Sequence, residues 1–180
     1  SGRDSVRVFR PADVHATTEC WRMAMENVDT PTALILSRQN VKDLPAGTNY
    51  KGAAHGAYVV LPEANPEVVL VASGSEVSTL VDAAALLQAD GIKVRVVSCP
   101  SEQLFRHQDA AYCAEVLPQG VKKFFLTAGL PAVFEGLADD NSYIFGLTHF
   151  GKSAPFGVLD EKFGFTSTHI HQEVKRFLDK

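Results

Sequence analysis

Glu67-Val68-Val69-Leu70-Val71-Ala72-Ser73-Gly74-Ser75-Glu76-Val77 is the stretch whose reading decides the fold. Glu67–Ala72 reads as a strand, its Val68–Ala72 an unbroken apolar run, and it ends in a Ser/Gly turn. Ser73 and Glu76 then stand at the S-x-x-E spacing of a capping box, in which each side chain would satisfy a free N–H of the opening helix. Val77, Leu80, Val81, Ala84 and Leu87 supply that helix with one apolar stripe, and Asp90-Gly91 stops it. Ile92–Val96 alternates and returns as a strand.

Downstream, the spacing predicts a short helix near 109–116, a strand at Phe124–Leu126 and a helix over Ala132–Leu137 led by Pro131. A strand at Tyr143–Phe145 and helices near 155–163 and 169–178 complete that half, with Thr168 as the cap of the last helix. Upstream, Ala57–Leu61 reads as a strand, and residues 39–56 form a breaker-rich stretch taken as an interdomain linker. Residues 1–38 read as β-α-β. Val6–Phe9 is the first strand, and Asp13 caps a helix with Val14, Thr18, Trp21, Met25 and Val28 on one face. Thr32–Ser37 follows with the apolar pattern of a strand buried on both sides. The fold class is α/β: a mostly parallel sheet with helices on both faces, preceded by a partial β-α-β piece. Its divisions are 1–38, a linker at 39–56, and a complete α/β domain at 57–180.

Composition narrows the function. The net charge is -4 without a basic block, so nucleic acid and anionic membrane surfaces are poor partners. No apolar run reaches the length of a bilayer span. Cys20, Cys99 and Cys113 are too few and scattered for a disulfide framework, which points to a reducing, cytoplasmic setting. The opening Ser1-Gly2, without Met, reads as the start of an excised piece.

Gly146-Leu147-Thr148-His149-Phe150-Gly151-Lys152-Ser153 fits the phosphate-cradling pattern G-x-x-x-x-G-K-[ST]. Pro155 lies where the following helix needs an N–H, and Leu147 and Phe150 are bulky where phosphate needs close backbone approach. The match is read as a structural turn. His169 and His171 are two apart, not the four that a helical metal pair needs, and are expected to face solvent; no other histidine stands at ligand spacing. Cys99 is read as a small buried hydrophobe. Arg38 ends the strand Thr32–Ser37, where ligands of parallel sheets collect; its planar fork of donors suits a phosphate, while position alone equally fits a solvated or salt-bridged arginine.

Several blocks occur together in order. They are Phe9-Arg10-Pro11-Ala12-Asp13, Pro31-Thr32-Ala33-Leu34-Ile35-Leu36-Ser37-Arg38-Gln39, Ala72-Ser73-Gly74-Ser75-Glu76-Val77, Val96-Val97-Ser98-Cys99-Pro100-Ser101, Gln108-Asp109-Ala110-Ala111-Tyr112, Gly151-Lys152-Ser153-Ala154-Pro155 and Phe163-Gly164-Phe165-Thr166. In these the chain resembles the C-terminal portion of transketolase, over nearly its whole length. The resemblance implies a homodimeric parent enzyme that moves a two-carbon ketol unit between sugar phosphates, using thiamine diphosphate and a divalent metal (Mg). It implies that residues 1–38 are the tail of the pyrimidine-binding domain and 57–180 the C-terminal domain. It makes Arg38 the arginine that grips the substrate's phosphate. The cofactor and metal ligands are not among these residues, so the fragment alone is expected to be inactive and to hold no cofactor. Thr127 departs from the glutamate that many relatives carry before Ala-Gly. The alternative is a free-standing, non-catalytic module for assembly or anion binding.

Overall fold

The computed structural model describes residues 6–180, so Ser1-Gly2 lies outside the described residues. In chain order the elements are β1 (Arg7–Phe9), α1 (Val14–Glu26), β2 (Thr32–Leu34), a 3-10 helix (Tyr50–His55), β3 (Tyr58–Leu61), β4 (Val68–Ala72) and α2 (Glu76–Ala89). They continue with β5 (Val94–Ser98), α3 (Glu102–Arg106), α4 (Ala110–Val116), β6 (Lys122–Leu126), a 3-10 turn (Pro131–Val133), β7 (Ser142–Phe145), α5 (Phe156–Phe163) and α6 (Ser167–Leu178).

Five strands form one sheet in the order β3-β5-β4-β6-β7, with only β3 antiparallel to its neighbour. β4 lies at the centre and every one of its residues is buried. Its side chains alternate between two cores, as the pleat requires. Val68, Leu70 and Ala72 meet α2 and α6 through Val77, Leu80, Ala84, Leu87, Ile170 and Val174. Val69 and Val71 meet Phe105, Val116, Phe125 and Phe134 on the other side. Each Val, Leu, Ile or Phe among them contributes about 1.5–3 kcal/mol when fully buried, which makes the sheet's two faces the main source of stability. The α/β class with helices on both faces therefore stands.

From β4 the chain crosses to β5 on one side, and from β5 it crosses back over β4 to β6 on the other. The crevice between the carboxyl ends of β4 and β6 is thus a topological switch point.

β1 and β2 form a separate parallel pair, with Arg7 opposite Thr32 and Phe9 opposite Leu34. The expected fully buried strand over 32–37 is corrected: the ladder ends at Leu34, and Ile35 and Leu36 are half exposed. An apolar run becomes a doubly covered strand only when neighbours stand on its outer side, and none does among the described residues. α1 packs through Ala16, Cys20 and Met23, small or slender residues, against the Tyr50–His55 helix and Leu44. The Val14, Thr18, Trp21, Met25, Val28 face is instead the bare one.

Asp13 fixes this arrangement. Its carboxylate caps α1 at Ala16 N (2.8 Å) and also accepts from Leu44 N (3.0 Å) and the Tyr50 hydroxyl (2.8 Å). One buried side chain therefore gathers the helix start and the 39–56 stretch, where Gly52 and Ala53 are buried as well. The helix expected over 132–137 shortens to the 3-10 turn Pro131–Val133. Gly136 is a weak helix former, and only single-turn bonds to Phe134 O continue beyond that turn.

Candidate functional site

At the switch point the Ser73–Glu76 turn is organised by a residue from far away in sequence. Arg10, just past β1, donates from Nη1 to Ser73 Oγ (3.1 Å) and from Nη2 to both Glu76 oxygens (3.1 and 3.2 Å). Glu76 Oε1 also accepts from Ala128 N (2.9 Å), just past the end of β6. The backbone of Arg10 is held too, its N–H by Pro100 O (2.8 Å) and its carbonyl by Gly74 N (2.9 Å). Gly74 sits at φ +64, and a Cβ there would press on Arg10 Nη2 at 3.1 Å and Glu76 Oε2 at 3.2 Å. Glycine is required both by the left-handed backbone and by the approaching guanidinium.

This corrects the capping box. Helix α2 opens at Glu76 with Ser75 as its cap residue, and no side chain caps it. A guanidinium between Ser73 and Glu76 takes up both acceptors, so neither turns to the helix amides. The position where doubly wound sheets often bind an anion is filled by the chain's own cation, with a carboxylate facing it.

Beside it lies a cavity of about 450 Å³, bounded by Lys42, Glu76, Ser78, Asp82, Asp160 and Thr166 among others. Lys42 Nζ pairs with Asp82 at 2.7 Å. Burial, aided by the nearby Glu76 carboxylate, pushes Asp160 above the usual carboxylate range. An acidic wall of this kind repels phosphate.

Arg38 occupies an exposed bend four residues past β2, with no hydrogen bond or ion pair to any described residue. Its guanidinium donors are not taken up by any described residue. It is not brought together with Ser73, Glu76 or any histidine in a common cavity.

The remaining sequence candidates resolve readily. Residues 146–155 are irregular and largely exposed, bending at His149 and Ala154, and the next helix begins only at Phe156, so no helix amides face Lys152 and Ser153. The glycine motif forms neither a phosphate cradle nor the regular turn expected of it. The two C-terminal histidines are corrected: His171 Nε2 contacts Asp90 Oδ2 at 2.9 Å, and the His169 ring packs edge-on against Phe145. Thr166, not Thr168, caps α6. Burial pushes the Cys20 thiol up to about 12 and raises Cys99 as well, which makes both unreactive at neutral pH.

The thiamine diphosphate and metal implied by the resemblance were tested against these residues. Among the described residues no three His, Cys, Asp or Glu side chains stand close enough to share a metal ion. The glycine turn at α2 presents the Glu76 carboxylate where a diphosphate would need positive potential. The residues present do not fit either group.

The sequence reading missed Arg10. Its partners are 63 and 66 positions away, and the sole local signal was its place between a strand and Pro11.

Comparisons with known proteins agree with one another. The family model for the transketolase-like TK C-terminal domain matches residues 56–166. The transketolase of Geobacillus stearothermophilus is 40% identical over 181 residues, covering 98% of this chain and 27% of that protein. Transketolase 1 of Vibrio cholerae is 39% identical, covering 97% of this chain and 27% of its own length. Among solved structures, transketolase from Leishmania mexicana superposes with a TM-score of 0.89 at 39% identity, covering 97% of this chain and 25% of that one. A Pichia stipitis transketolase solved with sedoheptulose-7-phosphate gives 0.88 at 31% identity over the same shares. This chain spans about a quarter of the length of the relatives it matches. The breadth of the match over β4, the Ser73–Glu76 turn and the strand leading to Arg38 leaves one assignment: the chain belongs to the transketolase family and matches the C-terminal portion of its members.

Proposed function

We propose that the chain is the C-terminal portion of a cytoplasmic, homodimeric transketolase, in which residues 1–38 end the pyrimidine-binding domain, 39–56 link, and 57–180 form the C-terminal domain. The parent enzyme transfers a two-carbon ketol unit between sugar phosphates with thiamine diphosphate and a divalent metal held by other residues. The cofactor supplies the electron sink for that transfer. The observation that carries the reading is the match across nearly all 180 residues to transketolases, including one solved with a sugar phosphate.

Within this portion Arg38 is the residue that meets substrate. Its guanidinium follows a strand end, is unpartnered, and can grip a phosphate through two parallel N–H donors. Gripping the far phosphate orients the reacting end of the sugar, which is binding energy used for positioning. Arg10 acts indirectly: it fastens β1, and through the β1–β2 ladder the strand before Arg38, to the edge of the large sheet.

The test is ketol transfer by the purified 180-residue chain supplied with thiamine diphosphate and Mg²⁺. The reading expects no turnover. Turnover by the chain alone would overturn it, because the reacting groups would then be among these residues.

A further inference from the structure

Arg38 stands on an arch, residues 36–43, whose two feet rest on one short segment of chain. The near foot is Ile35, whose N–H is held by Phe9 O at 2.8 Å. The far foot is Leu44, whose N–H is held by Asp13 Oδ2 at 3.0 Å. Between the feet, residues 36–43 make no backbone hydrogen bond to any described residue. Phe9 and Asp13 are four positions apart with the stiff Pro11 between them, and the Arg10 backbone is clamped to Pro100 O and Gly74 N. The large sheet therefore holds residues 9–13, and residues 9–13 hold both ends of the arch. Asp13 also lines one hollow with Ser37 and Gln39, the residues on either side of Arg38. No described side chain bonds the Arg38 guanidinium, so the arch alone sets where it stands.

We propose that Asp13 is a positioning residue for phosphate recognition: by fixing Leu44 it sets the far foot of the arch, and with it the place where Arg38 meets the sugar's phosphate. This role rests on Arg38 being the phosphate grip. A paired guanidinium–phosphate contact needs both donors at about 2.7–2.9 Å, so a displacement of about 1 Å at the arch loses it. The Asp13 carboxylate is held well enough to prevent that. It is 2% exposed, one oxygen is committed to the α1 cap at Ala16 N (2.8 Å), and the Tyr50 hydroxyl (2.8 Å) steadies the oxygen that receives Leu44. The other tie of the arch, Lys42 to Asp82 at 2.7 Å, is an exposed ion pair and contributes little. Unphosphorylated sugars make no use of the grip, so only phosphorylated ones register what Asp13 supplies.

The experiment measures KM and kcat for a phosphorylated and an unphosphorylated ketose in the full-length holoenzyme carrying this chain, for Asp13→Asn, Arg38→Ala and the two together. Asparagine keeps an oxygen for the α1 cap and turns its amide N–H toward Leu44 N, donor against donor, so the helix start survives while the far foot is released. The expected result is a rise of about three- to tenfold in KM for the phosphorylated ketose and less than about twofold for the other. In the Arg38→Ala background Asp13→Asn should change neither, because the grip it positions is gone. A KM that Asp13→Asn leaves unchanged overturns the proposal, and so does a fall in kcat shared by both sugars at constant KM, which is what a purely structural role produces. If Arg38→Ala weakens the phosphorylated sugar selectively and Asp13→Asn does not, the grip stands and the role of Asp13 falls; if Arg38→Ala is not selective, both fall. Should Asp13→Asn not fold, Tyr50→Phe removes the hydroxyl that steadies the same oxygen and should raise the same KM about two- to threefold; no rise there overturns the proposal equally.

Discussion

Replacing Arg10 by Met removes the cation that faces Glu76 and leaves a carboxylate only 5% exposed with two neutral donors, Ala128 N and, at 3.4 Å, the Ser75 hydroxyl. Removing one partner of a buried ion pair costs about 3–5 kcal/mol. Arg10 itself is 27% exposed, so water can relax part of that cost, and a loss of about 3 kcal/mol is expected. In a chain of this size that corresponds to a fall in Tm of about 6–12 °C. Glu76→Gln added to Arg10→Met removes the stranded charge, so the double variant should recover about 2 kcal/mol, a coupling typical of groups in one network. Urea unfolding followed by circular dichroism measures all four corners of the cycle. If Arg10→Met costs less than about 0.5 kcal/mol, or if the two losses simply add, Arg10 is not the latch described here.

Other expectations follow from neighbouring contacts. Gly74→Ala should destabilise by more than about 1 kcal/mol in the same unfolding assay, because φ is +64 and the new methyl presses on both Arg10 and Glu76. Asp13→Ala should cost about 2–4 kcal/mol, since it removes a helix cap and strands Leu44 N and the Tyr50 hydroxyl; loss of exchange protection should concentrate in α1 and the Tyr50–His55 helix. Lys175 and His171 hold Asp90 below its ordinary value of 3.8. The sign is that of a depressed carboxylate: the tie between α2 and α6 is complete above about pH 4 and lost as pH falls through the lowered value. Carbon-detected NMR of the Asp90 carboxyl should place its midpoint below 3.8, and an ordinary midpoint would remove the tie.

Local patterns were legible where one element carries its own signal. β4 and the buried stripe Val77, Leu80, Ala84, Leu87 followed from period and turn chemistry, because the large sheet supplies neighbours on both sides of them. α1 misled for a physical reason. Its large apolar residues stand on the bare face, while the buried side uses Ala16, Cys20 and Met23, a weaker signal that only the 39–56 stretch explains. The run Thr32–Ser37 has the content of a central strand, yet a ladder needs a neighbour, and pairing stops at Leu34. Ser73 and Glu76 stand at capping spacing, but an arginine more than sixty residues away outcompetes the helix amides for them. The same distance hid His171 on Asp90, 81 positions apart. Arg38 was singled out at the end of the expected strand 32–37, but the ladder stops at Leu34 and leaves it four residues beyond, so its phosphate role came from the family resemblance and not from the local pattern.

The most direct measurement is kcat/KM for a phosphorylated and an unphosphorylated ketose, before and after Arg38→Ala, in a full-length transketolase carrying this chain. Loss of a charge-assisted grip worth about 1.5–3 kcal/mol predicts a fall of roughly ten- to a hundredfold for the phosphorylated sugar and little change for the other. Equal losses for both would contradict the assignment.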